Sequence, residues 1–175
     1  MKNIKVMSRL EAIDYSYKNT KDDYILISIS SLDEEAPKFH NCYKWESSCR
    51  GLIRLSFNDL ERDYSEELLA PKQGDFSGLK TFIDTFKDNN TIKDIVVHCA
   101  AGISRSSAVA AAIAQYLDLD EFNLIWNNDL YIPNELVYRL ALNEFGLKLC
   151  EAQLGSYKDT KKQLLDEIDL PLDII

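Results

Sequence analysis

Apolar residues fall along this chain in two alternating rhythms. Short runs rich in β-branched residues occur at 4–7, at 24–29 (YILISI), at 52–57 (LIRLSF) and at 92–97 (IKDIVV). Continuous rather than alternating apolarity predicts strands buried on both faces. Between them lie stretches with helical spacing. Residues 10–17 suit a short helix. Phe76, Leu79, Phe82, Ile83 and Phe86 predict a helix over 75–87. The alanine-rich stretch 106–117 predicts a helix that can lie close to a sheet, alanine being the best helix former and small. Residues 120–126 predict another helix, and 135–145 a further buried one, with Asn134 as its N-cap. Leu164, Leu165, Ile168 and Leu170 among charges predict a final amphipathic helix. Residues 31–48, with Pro37, read mostly as loop, and the charged run 58–74, with Pro71, as a mobile surface loop. Loops of that length without regular structure are often functional. Strands interleaved with helices imply an α/β fold: a central, mostly parallel twisted sheet flanked by helices.

Length and composition narrow the class. The 175 residues carry no repeat or low-complexity block and suit one domain over 1–175. Hydrophobic residues at 46% supply a core, and the longest apolar run, 108–114, is far short of a membrane span. No secretory leader is visible behind Lys2 and Lys5, so a cytoplasmic location is expected. The net charge of −9 repels nucleic-acid backbones and anionic lipid, so neither nucleic acid nor membrane is an expected partner. It also requires any anion site to make its positive field locally. The four cysteines form no Cys-x-x-Cys pair, and His40 and His98 are the only imidazoles, which gives a metal site little support. Cys42, Cys49 and Cys150 read as small buried hydrophobes.

Cys99 differs because of its neighbours. In IVVHCAAGISRS a buried strand ends at His98-Cys99, a short loop containing Gly102 follows, and a helix begins near Arg105. Ligands of open α/β sheets sit at the carboxyl ends of strands and at helix N-termini. Backbone N–H groups of Ala100, Ala101, Gly102, Ile103, Ser104 and Arg105 can curl around an anion there, with Gly102 free to take the positive φ such a loop often needs. The same donors, the helix dipole and Arg105 favour a thiolate on Cys99. A thiolate at neutral pH can attack phosphorus. Six residues on, the guanidinium of Arg105 suits two oxygens of one phosphate.

His-Cys-x5-Arg-Ser resembles the signature loop of the protein tyrosine phosphatase superfamily. The longer string HCAAGISRSSAVAAA resembles its compact dual-specificity branch, especially small bacterial and phage-type members, and PNELVYRL at 133–140 is similar to a segment of those proteins. The resemblance spans roughly 52–142. It implies the protein tyrosine phosphatase-like (phosphotyrosine phosphatase II-like) fold and a phosphocysteine mechanism without metal or other cofactor. Cys99 matches the nucleophile and Arg105 the phosphate-binding arginine. Ser106 matches the hydroxyl that bonds the thiolate, and His98 the histidine that orders the loop and tunes the thiol.

The leaving oxygen needs a proton, and a carboxylic acid on a neighbouring loop is the expected donor. Asp59 follows the strand at 52–57 directly, which sets it at the same sheet edge as Cys99, and it stands where the resembling family carries its acid. Asp63 is the alternative, while Asp75 reads as a helix cap. The charged loop 60–74 lengthens the stretch between Asp59 and Cys99 beyond the compact pattern.

Between Cys99 and Arg105 the loop carries no lysine or second arginine. Multiply phosphorylated inositides profit from extra positive charge there, so phosphate monoesters on protein are favoured, tyrosine first, with serine and threonine as further candidates. The expected partners are thus a phosphorylated protein or peptide and phosphate ion. Two rival readings stand beside this one: a phosphate-binding module without turnover, and a sulfurtransferase or arsenate reductase. Low-pKa thiolates oxidise readily, which makes Cys99 a candidate for oxidation.

Overall fold

The computed structural model describes residues 2–19, 22–32, 48–120, 122–149 and 154–155. Strand β1 (Asn3–Ser8) leads into helix α1 (Arg9–Lys18). Strand β2 (Tyr24–Ser30) follows, then β3 (Gly51–Ser56), a 3-10 turn (Gln73–Phe76) and helix α2 (Leu79–Phe86). Strand β4 (Asp94–Cys99) runs into helix α3 (Arg105–Tyr116), and α4 (Glu135–Phe145) closes the described order. The four strands form one sheet in the order β1-β4-β2-β3, every described pairing parallel.

Parallel strands buried on both faces should be mostly apolar, and β2 and β4 are, with Ser28 and Ser30 the polar positions of one and Asp94 and His98 those of the other. Alternation along β4 divides its side chains between two cores. Ile95, Val97 and Cys99 face the larger one, with α2, α3 and α4. Val96 faces the smaller one with Ala12, Tyr24 and Leu26, under α1. Alanine lets α3 sink between the sheet and α4, so that Arg105 through Ala114 is buried all round. A helix apolar on every side belongs in such a place.

All four strands point the same way, so their carboxyl ends share one edge. Ser8 is in register with Cys99, and Ser28 with His98. The segments that begin at Arg9, Ser31, Phe57 and Ala100 therefore start side by side.

Two helix expectations change. The helix expected over 75–87 breaks at Gly78, whose φ of +85° ends the 3-10 turn before α2 begins. The stretch 120–126 holds a single π-helical turn, Phe122–Trp126. There the Asp120 carboxylate accepts from the Asn123 N–H at 3.1 Å, a local competitor of the helical ladder. Asn134 caps α4 as expected, its Oδ1 accepting from Val137 N at 3.0 Å. The helix expected around 164–170, Cys42, Cys150, and most of the loop expected over 31–48 lie outside the described residues. No helix among the described residues is long and apolar enough to cross a membrane.

Candidate active site

The loop between β4 and α3 is held by its carbonyls. Ala100 O accepts from Arg9 N at 3.2 Å, Ile103 O from Ile132 N at 3.1 Å, and Ser104 O from Ala108 N at 3.0 Å. The Ser107 hydroxyl adds a bond to Ser104 O at 2.9 Å. Donors outside the loop thus tie down these three carbonyls, while the Gly102 N–H points inward at Cys99 Sγ, 3.2 Å away. Gly102 itself has φ +78°, and a Cβ placed on it lies 2.4 Å from Ser8 N and 2.6 Å from Met7 C. Both the backbone conformation and the close passage against the end of β1 demand glycine here.

Cys99 is 2% exposed. Its sulfur also lies 3.2 Å from the Ser106 hydroxyl, itself fully buried. Burial pushes the thiol pKa up. Hydrogen bonds from the Ser106 hydroxyl and N–H, then the Gly102 N–H and the Arg105 charge, outweigh it and leave the thiol below its ordinary range. His98, next in the strand, faces the opposite side of the sheet by alternation. It is buried, with Nδ1 3.4 Å from the Cys99 carbonyl, so it backs the loop from behind.

Arg105 is 5% exposed and pinned at one end. Its Nη1 donates to Ser31 Oγ at 2.9 Å and to the Phe57 carbonyl at 3.0 Å. Its Nε is buried with no hydrogen-bond partner among the described residues, the Asp59 Oδ2 lying 3.9 Å off. A buried guanidinium N–H left in that state is costly, and an oxyanion beside Cys99 is the kind of group that satisfies it. No local pattern marks Ser31. It is found from the shared carboxyl edge of the sheet.

Of the three carboxylates weighed as acid, Asp59 is the one hydrogen-bonded to the loop. Its Oδ1 accepts from Ser104 Oγ at 2.8 Å and from Asn134 Nδ2 at 2.9 Å. Asp63 Oδ1 instead accepts from Ala70 N at 2.7 Å, and Asp75 from Lys72 N at 2.7 Å, where it caps the 3-10 turn. The charged run 58–72 is strapped by further bonds, Asn58 Nδ2 to Leu69 O at 3.2 Å and Tyr64 N to Leu68 O at 3.0 Å. Asn134 was legible only as a cap, and its second bond makes it a support of Asp59. Cys49 packs with Tyr24 and Leu52 in the core under α1, across the sheet from Cys99.

No family model and no curated protein matches the sequence. Solved structures do match. The crystal structure of PTPMT1 in complex with PI(5)P aligns at 13% identity and TM-score 0.53, over 88% of this chain and 94% of that one. A second crystal structure of PTPMT1 aligns at 14% identity and TM-score 0.50, over 89% of this chain and 95% of that one. Tk-PTP in its active form gives 17% identity and TM-score 0.42, over 91% and 90%. The PTPMT1 likeness, together with a parallel sheet flanked by helices, shows the architecture: this chain has the protein tyrosine phosphatase-like α/β fold.

Proposed function

We propose that this chain is a cysteine-dependent phosphatase that hydrolyses phosphate monoesters on protein tyrosine, and on serine and threonine where the cleft admits them, through a phosphocysteine intermediate. The observation that carries the reading is the pair formed by a hydrogen-bonded, pKa-lowered Cys99 and the unpartnered buried Nε of Arg105, set on one loop.

In the first step the Cys99 thiolate attacks phosphorus, the bond to the substrate oxygen breaks, and Asp59 gives that oxygen a proton. Arg105 holds the non-bridging oxygens. In the second step water attacks the phosphocysteine, Asp59 takes its proton, and the P–S bond breaks to return the thiolate, which the Ser106 hydroxyl stabilises. No metal or cofactor enters either step.

The absence of a cation between Cys99 and Arg105 favours a single phosphate over a polyphosphorylated head group. The deciding experiment measures phosphate release in the presence of chelator from p-nitrophenyl phosphate, phosphotyrosine and phosphoserine peptides, and PI(5)P. The wild type is expected to turn over the aryl phosphate and the phosphotyrosine peptide. Cys99→Ser is expected to lose activity by a factor on the order of 10⁴ or more while still binding phosphate. Wild type that binds phosphate without turnover overturns the enzyme reading in favour of a binding module. Strong activity confined to PI(5)P overturns the protein substrate.

A further inference from the structure

Large apolar side chains exposed to water are unevenly placed. Of nine such side chains among the described residues, five lie at the candidate site: Leu10, Leu32, Ile103, Leu130 and Ile132, from 42% exposed at Ile103 to 78% at Leu10. Each is at, or within two residues of, a hydrogen bond that ties its segment to the loop or to Arg105. Ile103 O accepts from Ile132 N at 3.1 Å, Ala100 O accepts from Arg9 N at 3.2 Å, and Ser31 Oγ accepts from Arg105 at 2.9 Å. Three separate segments thus bring exposed apolar residues next to one anion cradle. Between two of them sits Tyr131, whose phenol is pushed up by burial and then by the charge of Glu11 on the first turn of α1. Exposed apolar surface of this kind marks a binding face, while single scattered residues do not.

Charge decides what covers it. The cradle's cation, Arg105, is buried, whereas the bordering segments carry Glu11, Asp59 and the run with Glu61, Asp63, Glu66 and Glu67 against the two cations Arg9 and Arg62, an acidic balance. On a chain of net charge −9 this border repels acidic sequences and anionic bilayers alike.

We propose that this rim binds apolar residues flanking the phosphorylated side chain of a peptide substrate, so that the site selects phosphopeptides of apolar rather than acidic context. The inference deepens the phosphatase reading and rests on it for the identity of the anion.

The test reads binding apart from turnover. Full-length protein carrying Cys99→Ser is titrated calorimetrically with two phosphotyrosine peptides, one flanked by leucine and isoleucine, the other by aspartate and glutamate. The apolar peptide is expected to bind about tenfold more tightly. Adding Leu130→Ser and Ile132→Ser, both exposed sites, is expected to bring that ratio towards one. Equal affinities, a preference for the acidic peptide, or a ratio unmoved by the serine substitutions overturns the proposal. So does sedimentation of the protein with neutral phosphatidylcholine vesicles that the apolar peptide does not compete away, which assigns the rim to a membrane. Turnover of p-nitrophenyl phosphate by wild type is the separate check on hydrolysis: if it is absent while the peptide preference persists, hydrolysis fails and the rim's selectivity stands.

Discussion

The amide nitrogen of Asn134 donates a 2.9 Å hydrogen bond to Asp59 Oδ1, while the oxygen of the same amide caps α4 through Val137 N. One buried side chain therefore fixes a helix start and steadies the proposed acid. Asn134→Ser separates the two duties, because serine also caps well but has no amide to reach Asp59. Its melting temperature is expected to stay near wild type, with kcat reduced about tenfold on poor leaving groups such as phenyl phosphate and little changed on p-nitrophenyl phosphate, which needs no proton. Asp59→Asn is expected to show the same pattern more deeply, by about 10²-fold or more on poor leaving groups. Equal losses on both substrates would assign Asn134 a purely structural part.

The lowered thiol pKa of Cys99 predicts a pH signature. Iodoacetamide attacks the thiolate, so inactivation should reach half its limiting rate below the free-cysteine value of about 8.5. Ser106→Ala removes the hydroxyl 3.2 Å from the sulfur and should move that midpoint upward, while slowing breakdown of the phosphocysteine. A midpoint at or above 8.5 in wild type would contradict the geometry. Since the folded state holds the thiolate more readily than the unfolded chain, this group adds stability above its unfolded pKa. That contribution is lost as pH falls through the folded value.

At Gly102, an added methyl group meets the end of β1 at 2.4 Å with φ already at +78°. Gly102→Ala is expected to cost about 1–2 kcal/mol from the left-handed backbone alone, with more from the clash. Activity should fall further than stability, because the displaced N–H is the one that bonds Cys99 Sγ. Thermal melts run beside aryl phosphate kinetics measure both.

A second titrating group lies at the other end of β4. Asp94 accepts from Tyr15 Oη at 2.6 Å and from Asn3 Nδ2 at 3.0 Å, and Lys5 Nζ is 3.0 Å away. Burial pushes its pKa up, but these partners outweigh it and hold the carboxylate below its ordinary range. The folded value is depressed, so its stabilisation is complete above the unfolded pKa of about 3.9 and disappears as pH falls through the folded one. Tyr15→Phe is expected to cost about 1–2 kcal/mol at pH 7 and less at pH 2, by denaturant melts at the two pH values.

How much of this was legible follows from range. The strand, loop and helix around Cys99 could be read because β-branched residues, one glycine and a run of alanines act locally. Asp59 could be placed because it lies three residues past the end of β3, and parallel strands share an edge. The order β1-β4-β2-β3, the Ser31 bond to Arg105 and the Asn134 bond to Asp59 join residues tens of positions apart, and local pattern is silent on such pairs. The break at Gly78 and the π turn after Asp120 were missed because apolar spacing registers which face is buried, not where the ladder of hydrogen bonds changes pitch.

The neighbour that crowds Gly102 is main chain, the peptide between Met7 and Ser8, rather than any side chain. Trimming residues around the loop can thus make no room for a larger group at 102, and a genetic search for compensating substitutions there should return only reversion to glycine. By the same logic, side-chain changes at Met7 leave the depth of the cradle untouched, whereas inserting or deleting one residue at the end of β1 alters it.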